Sequence, residues 1–126
     1  MSETADPVLS VLLQAVASAE AGLTMTLFVN GAIVSGILIG EQAYFARLGA
    51  DLAETFTDDP TGSEATRERF GMLGANLPAG HVSAYVHLRD AAIFTAGGVQ
   101  PIKTWRGRLD QIDGWCLGRF TVSPGE

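Results

Sequence analysis

The chain has 126 residues, 47% of them hydrophobic and 17% charged, with a formal net charge of −6 at pH 7. This size and balance predict one domain with a single buried core, and exclude a disordered chain. The acidic excess disfavours nucleic acid as a partner, because a negative field repels phosphate backbones.

The first element is an N-terminal helix within 1–22. Asp6 supplies a capping side chain and Pro7 the first helical position. Val8, Leu9, Leu12, Leu13, Val16 and Ala19 then recur at helical spacing, and Gly22 is expected to close the helix as a C-cap. A β-hairpin follows over 23–40, with strands 23–29 and 32–39 joined at Asn30-Gly31. Such a two-residue loop favours a type I′ turn, whose central positions both need positive φ. Gly36 interrupts the second strand and predicts a bulge, a bend or close backbone contact.

A helical insertion is expected over 41–80. Tyr44, Phe45, Leu48, Leu52 and Phe56 share one helical face, and 57–62 is an acidic loop. A shorter helix follows, with Thr61 and Glu64 at capping-box spacing and Phe70, Met72 and Leu73 as its apolar contribution. Residues 74–80 form a Pro/Gly-containing connector. The C-terminal strands occupy 82–122: a long strand over 84–96, a loop at 97–101, and strands 103–109 and 112–122 joined by a tight turn near Asp110-Gln111.

Charge is distributed unevenly along this order. Residues 1–84 hold ten carboxylates against three arginines, whereas residues 85–122 hold five cations against three carboxylates. The cationic segment is suited to an acidic surface on a partner or a neighbouring subunit. A lone cysteine, Cys116, excludes an internal disulfide and fits a reducing compartment. The N-terminal stretch lacks a basic region ahead of its short apolar run, and no apolar run approaches the roughly 18–20 residues needed to cross a bilayer. A cytoplasmic protein without membrane contact is therefore expected.

No catalytic constellation is visible in the sequence, so the expectation is a non-enzymatic protein with no cofactor. His87 alternates within a strand and His81 lies in the connector; with no cysteine or carboxylate motif at ligand spacing, both read as structural. Cys116, between Trp115 and Leu117, reads as a buried inert thiol. Asp58-Asp59 reads as a solvated loop, and Asp110 with Asp113 as turn chemistry.

Helix, hairpin, helical insertion, strand and hairpin predict a mainly β protein with α elements. LTMTLFVNGAIVSGILIG resembles the first Sm motif and WRGRLDQIDG the second. That resemblance implies a small, bent five-stranded Sm-like barrel or sheet with an N-terminal helix, here with the helical insertion between strands 2 and 3. In Sm proteins that bind RNA, motif residues line a nucleotide pocket. Asn30 and Arg106 are the positions nearest those roles, which gives an Sm-like oligomeric RNA-binding protein as the alternative reading.

Three further blocks, VNGAIVSGILI followed by Tyr44-Phe45, then YVHLRDAAIF, then WRGRLDQIDGWCLGRF, resemble the gas vesicle accessory protein U (GvpU) family over about 23–122. The resemblance implies an accessory protein acting in vesicle assembly or clustering, with vesicle shell protein or the vesicle surface as partner. Arg89, Trp105, Arg106, Arg108 and Arg119 form the candidate interaction surface. Open strand edges pair readily between subunits, so a homo-oligomer is expected, with a ring of about five to seven copies among its forms.

Overall fold

The computed structural model describes residues 6–17, 22–56, 58–78, 81 and 83–121. Its elements are α1 (Pro7–Ala17), β1 (Leu23–Val29), β2 (Ala32–Ile39), α2 (Glu41–Thr55), α3 (Pro60–Ala75), β3 (Tyr85–Thr95), β4 (Gly98–Arg108) and β5 (Gly114–Leu117), with a 3-10 turn at Leu109–Gln111 before β5. The strands form one antiparallel sheet in the order β4-β3-β2-β1-β5.

The local signals act as their chemistry requires. Asp6 Oδ1 accepts from the N–H of Val8 at 2.9 Å, and Pro7 opens α1. Asn30 and Gly31 have φ of 51° and 84°, as a type I′ turn demands. Gly36 marks a register shift in the β2–β3 pairing between Ser35 and Ile37. A Cβ at Gly36 would lie 3.0 Å from the Arg89 carbonyl oxygen and 3.1 Å from Ala91 Cα, so a larger residue would make β3 give way by a few tenths of an ångström.

Two clusters cover the sheet. On one face Leu9 and Val16 of α1 pack with Met25, Leu27, Leu38 and Leu88. Each such side chain contributes about 1.5–3 kcal/mol when fully buried. On the other face, at one end only, Ile39 packs with Tyr44 and Phe45 of α2, and Phe70 and Leu77 close the cluster. α1 is also pinned at its start, because Trp115 Nε1 donates to Asp6 Oδ2 at 2.8 Å. That indole, and then the Val8 N–H, hold the Asp6 carboxyl below its ordinary range. Asp6→Ala should therefore lower the melting temperature and red-shift tryptophan fluorescence, whereas Asp6→Asn, which keeps an acceptor, should do less of both.

Several expectations are corrected. The sheet is not closed into a barrel: β4 and β5 are its two edges. Beyond β5 the chain turns across the sheet face instead of running on towards β4. Thr26 Oγ1 donates to the Gly118 carbonyl at 2.8 Å, and the Phe120 N–H donates to Ser35 Oγ at 2.8 Å. The final strand is accordingly short, Gly114–Leu117 rather than 112–122. Most of the expected loop at 97–101 belongs to β4, which begins at Gly98 and includes Pro101. An edge strand tolerates that proline because one side of its ladder needs no donor.

α3 is longer than expected, and Asp59 caps it, accepting from Gly62 N–H at 3.0 Å with Pro60 in the first turn. Met72, Leu73 and Phe56 are exposed rather than core residues. α1 is described to Ala17, and the expected continuation through Ala19 lies outside the described residues. Gly22 lacks the left-handed conformation of a C-cap; a Cβ there would collide with Ile37 and lie 2.8 Å from the Leu38 carbonyl oxygen.

Candidate functional site

The start of α2 and the end of α3 meet beside α1, at the end of the sheet where β2 passes into α2. Gly40 is the N-cap of α2 and offers no side-chain cap. The C-terminal turn of α3 lies against the first turn of α2, because Gly74 lets the backbones close; a Cβ there would lie 3.1 Å from Gln42 Cα. Between these ends and α1 is a cleft of about 250 Å³. Leu13, Ile39 and Leu77 supply apolar wall, while Glu41, His81 and His87 supply polar wall.

Strand alternation places Ile39, His87 and Arg106 in register across β2, β3 and β4. Glu41, the first residue of α2, sits beside them. His81 Nε2 donates to Glu41 Oε1 at 2.7 Å, and Arg106 Nη2 lies 3.6 Å from Glu41 Oε2. The Arg106 guanidinium lies 4.0 Å from the Tyr85 ring centre, a cation–π contact. His87 is 1% exposed, and the Tyr44 ring centre lies 4.5 Å from its own. Burial first, and the nearby Arg106 charge second, push its pKa down to about 3. Its Nε2 has no hydrogen-bond partner.

The five residues of the expected interaction surface fall in separate places. Trp105 packs against the α1-side core, whereas Arg106 lies with Tyr44, Phe45 and Tyr85. Arg89 pairs with Asp90 at 2.6 Å, and Arg119 donates to the Asp90 carbonyl at 3.2 Å. Arg108 pairs with Asp110 at 2.8 Å at the end of β4. Asn30 and Arg106 are not brought together within one chain. Asn30 lies at the turn beside the Ile33–Phe94 register, while Arg106 pairs with His87 at the far end of the sheet. The Asn30 N–H donates to Asp113 Oδ2 at 2.8 Å, so Asp113 clamps the hairpin turn.

Cys116 is exposed, not buried: it lies on β5, an edge strand. The residues that sequence reasoning missed are Glu41, Tyr44 and Tyr85 as partners of His81, His87 and Arg106. Glu41 and Tyr44 come from α2, Tyr85 and His87 from β3 and Arg106 from β4, and no spacing in the sequence joins one element to the next. No three His, Cys, Asp or Glu side chains among the described residues converge to hold a metal ion. Among those residues, no helix is long and apolar enough to cross a membrane.

The arrangement is that of a small protein with an open antiparallel sheet, a helical pair inserted between β2 and β3, and a cleft where the insertion leaves the sheet. The family model described as "Gas vesicle protein GvpU-like" matches residues 6–120, and the chain belongs to that family. No curated protein matches the chain.

Proposed function

We propose that this is a non-enzymatic accessory protein of gas vesicles, acting in the cytoplasm as a homo-oligomer. It works in vesicle assembly or clustering through contacts with shell protein or the vesicle surface. The family match across both the sheet and the helical insertion carries this reading. The surface supports it: Val8 and Val11 on α1 are 58% and 64% exposed, and Leu117 on edge strand β5 is 61% exposed. Apolar side chains on an open edge favour pairing with another polypeptide.

Co-sedimentation with purified vesicles tests the proposal. A fraction bound that rises with protein concentration and saturates is expected; no pelleting at any concentration rejects the reading. Under the same proposal, the exposed cations at the cationic end make contact with an acidic partner surface. The pair Arg108→Glu and Arg119→Glu should then weaken co-sedimentation several-fold, with the loss greatest at low salt. A low-salt mobility-shift series should show no tight RNA complex, in keeping with the separation of Asn30 from Arg106.

A further inference from the structure

We propose that β5 is a self-pairing edge. Two copies of this chain join their β5 strands antiparallel, about a two-fold axis beside Cys116, so that one continuous sheet runs through both. This deepens the homo-oligomer reading above, and rests on it, by naming the interface and its register.

The two edges of the sheet differ in what they offer. The β3–β4 hairpin closes on the pair Thr95–Gly98 through a two-residue turn, so that pair is hydrogen-bonded. Alternation from it turns the backbone of Val99, Pro101, Lys103, Trp105 and Gly107 to the open side of β4. Pro101 has no N–H to give there, and Lys103 adds a cation. Proline and lysine are what blunt an edge against pairing. β5 carries neither. The Gly118 N–H donates to the Thr24 carbonyl at 2.9 Å, which fixes the alternation at this edge. Cys116 faces Thr26 of β1, and the N–H and C=O groups of Trp115 and Leu117 face outward. Among the described residues, no strand pairs on that side.

β5 spans only Gly114–Leu117 and has no charged side chain. One antiparallel register of two such strands uses both outward residues. Trp115 of one copy then exchanges hydrogen bonds with Leu117 of the other, and the reverse pair repeats them. Cys116 meets its own copy across the axis as a non-hydrogen-bonded pair, with Cα atoms about 4.5 Å apart. The side chains favour the same register. Trp115 and Leu117 share the α1 side of the sheet, opposite Leu27 and Met25. Leu117 is 61% exposed, and the bond from Trp115 Nε1 to Asp6 holds the indole in place. Pairing lays each exposed leucine against the other copy's indole. The turn at Gly118, with φ of 99°, ends the ladder, and an isologous contact closes at two copies. So short a ladder gives a dimer that comes apart on dilution.

Sedimentation equilibrium and thiol crosslinking of the full chain test the interface together. The parent should pass from monomer to dimer as concentration rises. Leu117→Lys sets a cation on each joined edge and should weaken the dimer at least about tenfold, with the circular dichroism spectrum unchanged. Diamide is the oxidant for crosslinking. Two Cys116 thiols give two protons and two electrons to its N=N bond, which becomes a hydrazine, and the sulfurs join as one disulfide. At a concentration where the parent is dimeric, this should run at least about tenfold faster than in the double variant Thr61→Cys, Cys116→Ser. Thr61 is also exposed, at the start of α3, so its thiol reports chance encounters. Crosslinking no faster than that control overturns the proposal. Unchanged association of Leu117→Lys overturns it too, and an oligomer that persists in that variant leaves the homo-oligomer reading standing. A parent that stays monomeric at every concentration overturns both.

Discussion

Leu88→Ala should reduce the free energy of unfolding by about 3 kcal/mol, within the 2–5 kcal/mol typical of a fully buried leucine. Leu88 is completely buried on β3 and belongs to the α1-side core with Leu9, Met25, Leu27 and Leu38. β3 is flanked on both sides, by β2 and β4, so the backbone cannot collapse into the space without disturbing two ladders. Val11→Ala provides the control: Val11 is 64% exposed on α1, and its loss should change stability by less than about 0.5 kcal/mol. Denaturant midpoints for both variants, compared at equal slope, check the result. Equal midpoints would mean that α1 does not close over Leu88 in solution.

The second large effect is a pH dependence with its origin in His87. Its folded pKa is pushed down to about 3, from an ordinary value of 6.5. Below pH 6.5 the unfolded chain therefore takes up a proton that the folded chain refuses. The folded state loses stability as pH falls from 6.5 towards 3, at about 1.4 kcal/mol per pH unit for this one group. Between pH 6.5 and 4.5 the loss is on the order of 2–3 kcal/mol. The groups that face the ring are neutral Tyr44, cationic Arg106 across the β3–β4 ladder, and Glu41 beyond it. Arg106 strengthens the refusal of the proton.

His87→Phe removes the titrating group, keeps an aromatic ring against Tyr44, and leaves no unpaired Nε2. It should be near neutral or stabilising at pH 7 and clearly more stable than the parent at pH 4.5. Unfolding midpoints at the two pH values decide the matter. Parallel pH profiles for parent and variant would show that His87 titrates normally in the folded chain.

Much of the fold is legible from local chemistry. Asp6-Pro7, Asn30-Gly31 and Gly36 each impose a backbone requirement that no distant residue can cancel, and each acts where expected. What eludes a sequence reading is set by position within the sheet. Pro101 argues for a loop until β4 proves to be an edge, where a missing donor does little harm. Cys116 sits in an apolar run, yet its place on the opposite edge leaves it exposed. Thr61 and Glu64 have capping-box spacing, but Asp59 with Pro60 starts the helix earlier and satisfies the free N–H of Gly62.

The cleft was the least legible part. His87 could be read as structural from its strand, and it is buried. Nothing local ties it to Glu41 or Tyr44, because those contacts exist only once the insertion has folded back onto β3. The Glu41–His81 bond crosses the whole of α2 and α3, and such a pairing has no periodicity to detect.

β2 and β3 are immediate neighbours in the sheet, yet Ile39 meets His87 only after the chain has completed the entire helical excursion. The hairpins β1–β2 and β3–β4, by contrast, close through two-residue turns. Short loops close quickly, whereas a long one must first surrender its chain entropy. Assembly is therefore expected to divide into fast local zippering of two ribbons and a slower event in which one ribbon finds the other. The α2–α3 pair, joined by a short connection, is expected to ease that search by shortening the distance that β3 must explore. A destabilised α2–α3 contact should be felt first as slow refolding rather than as a different sheet.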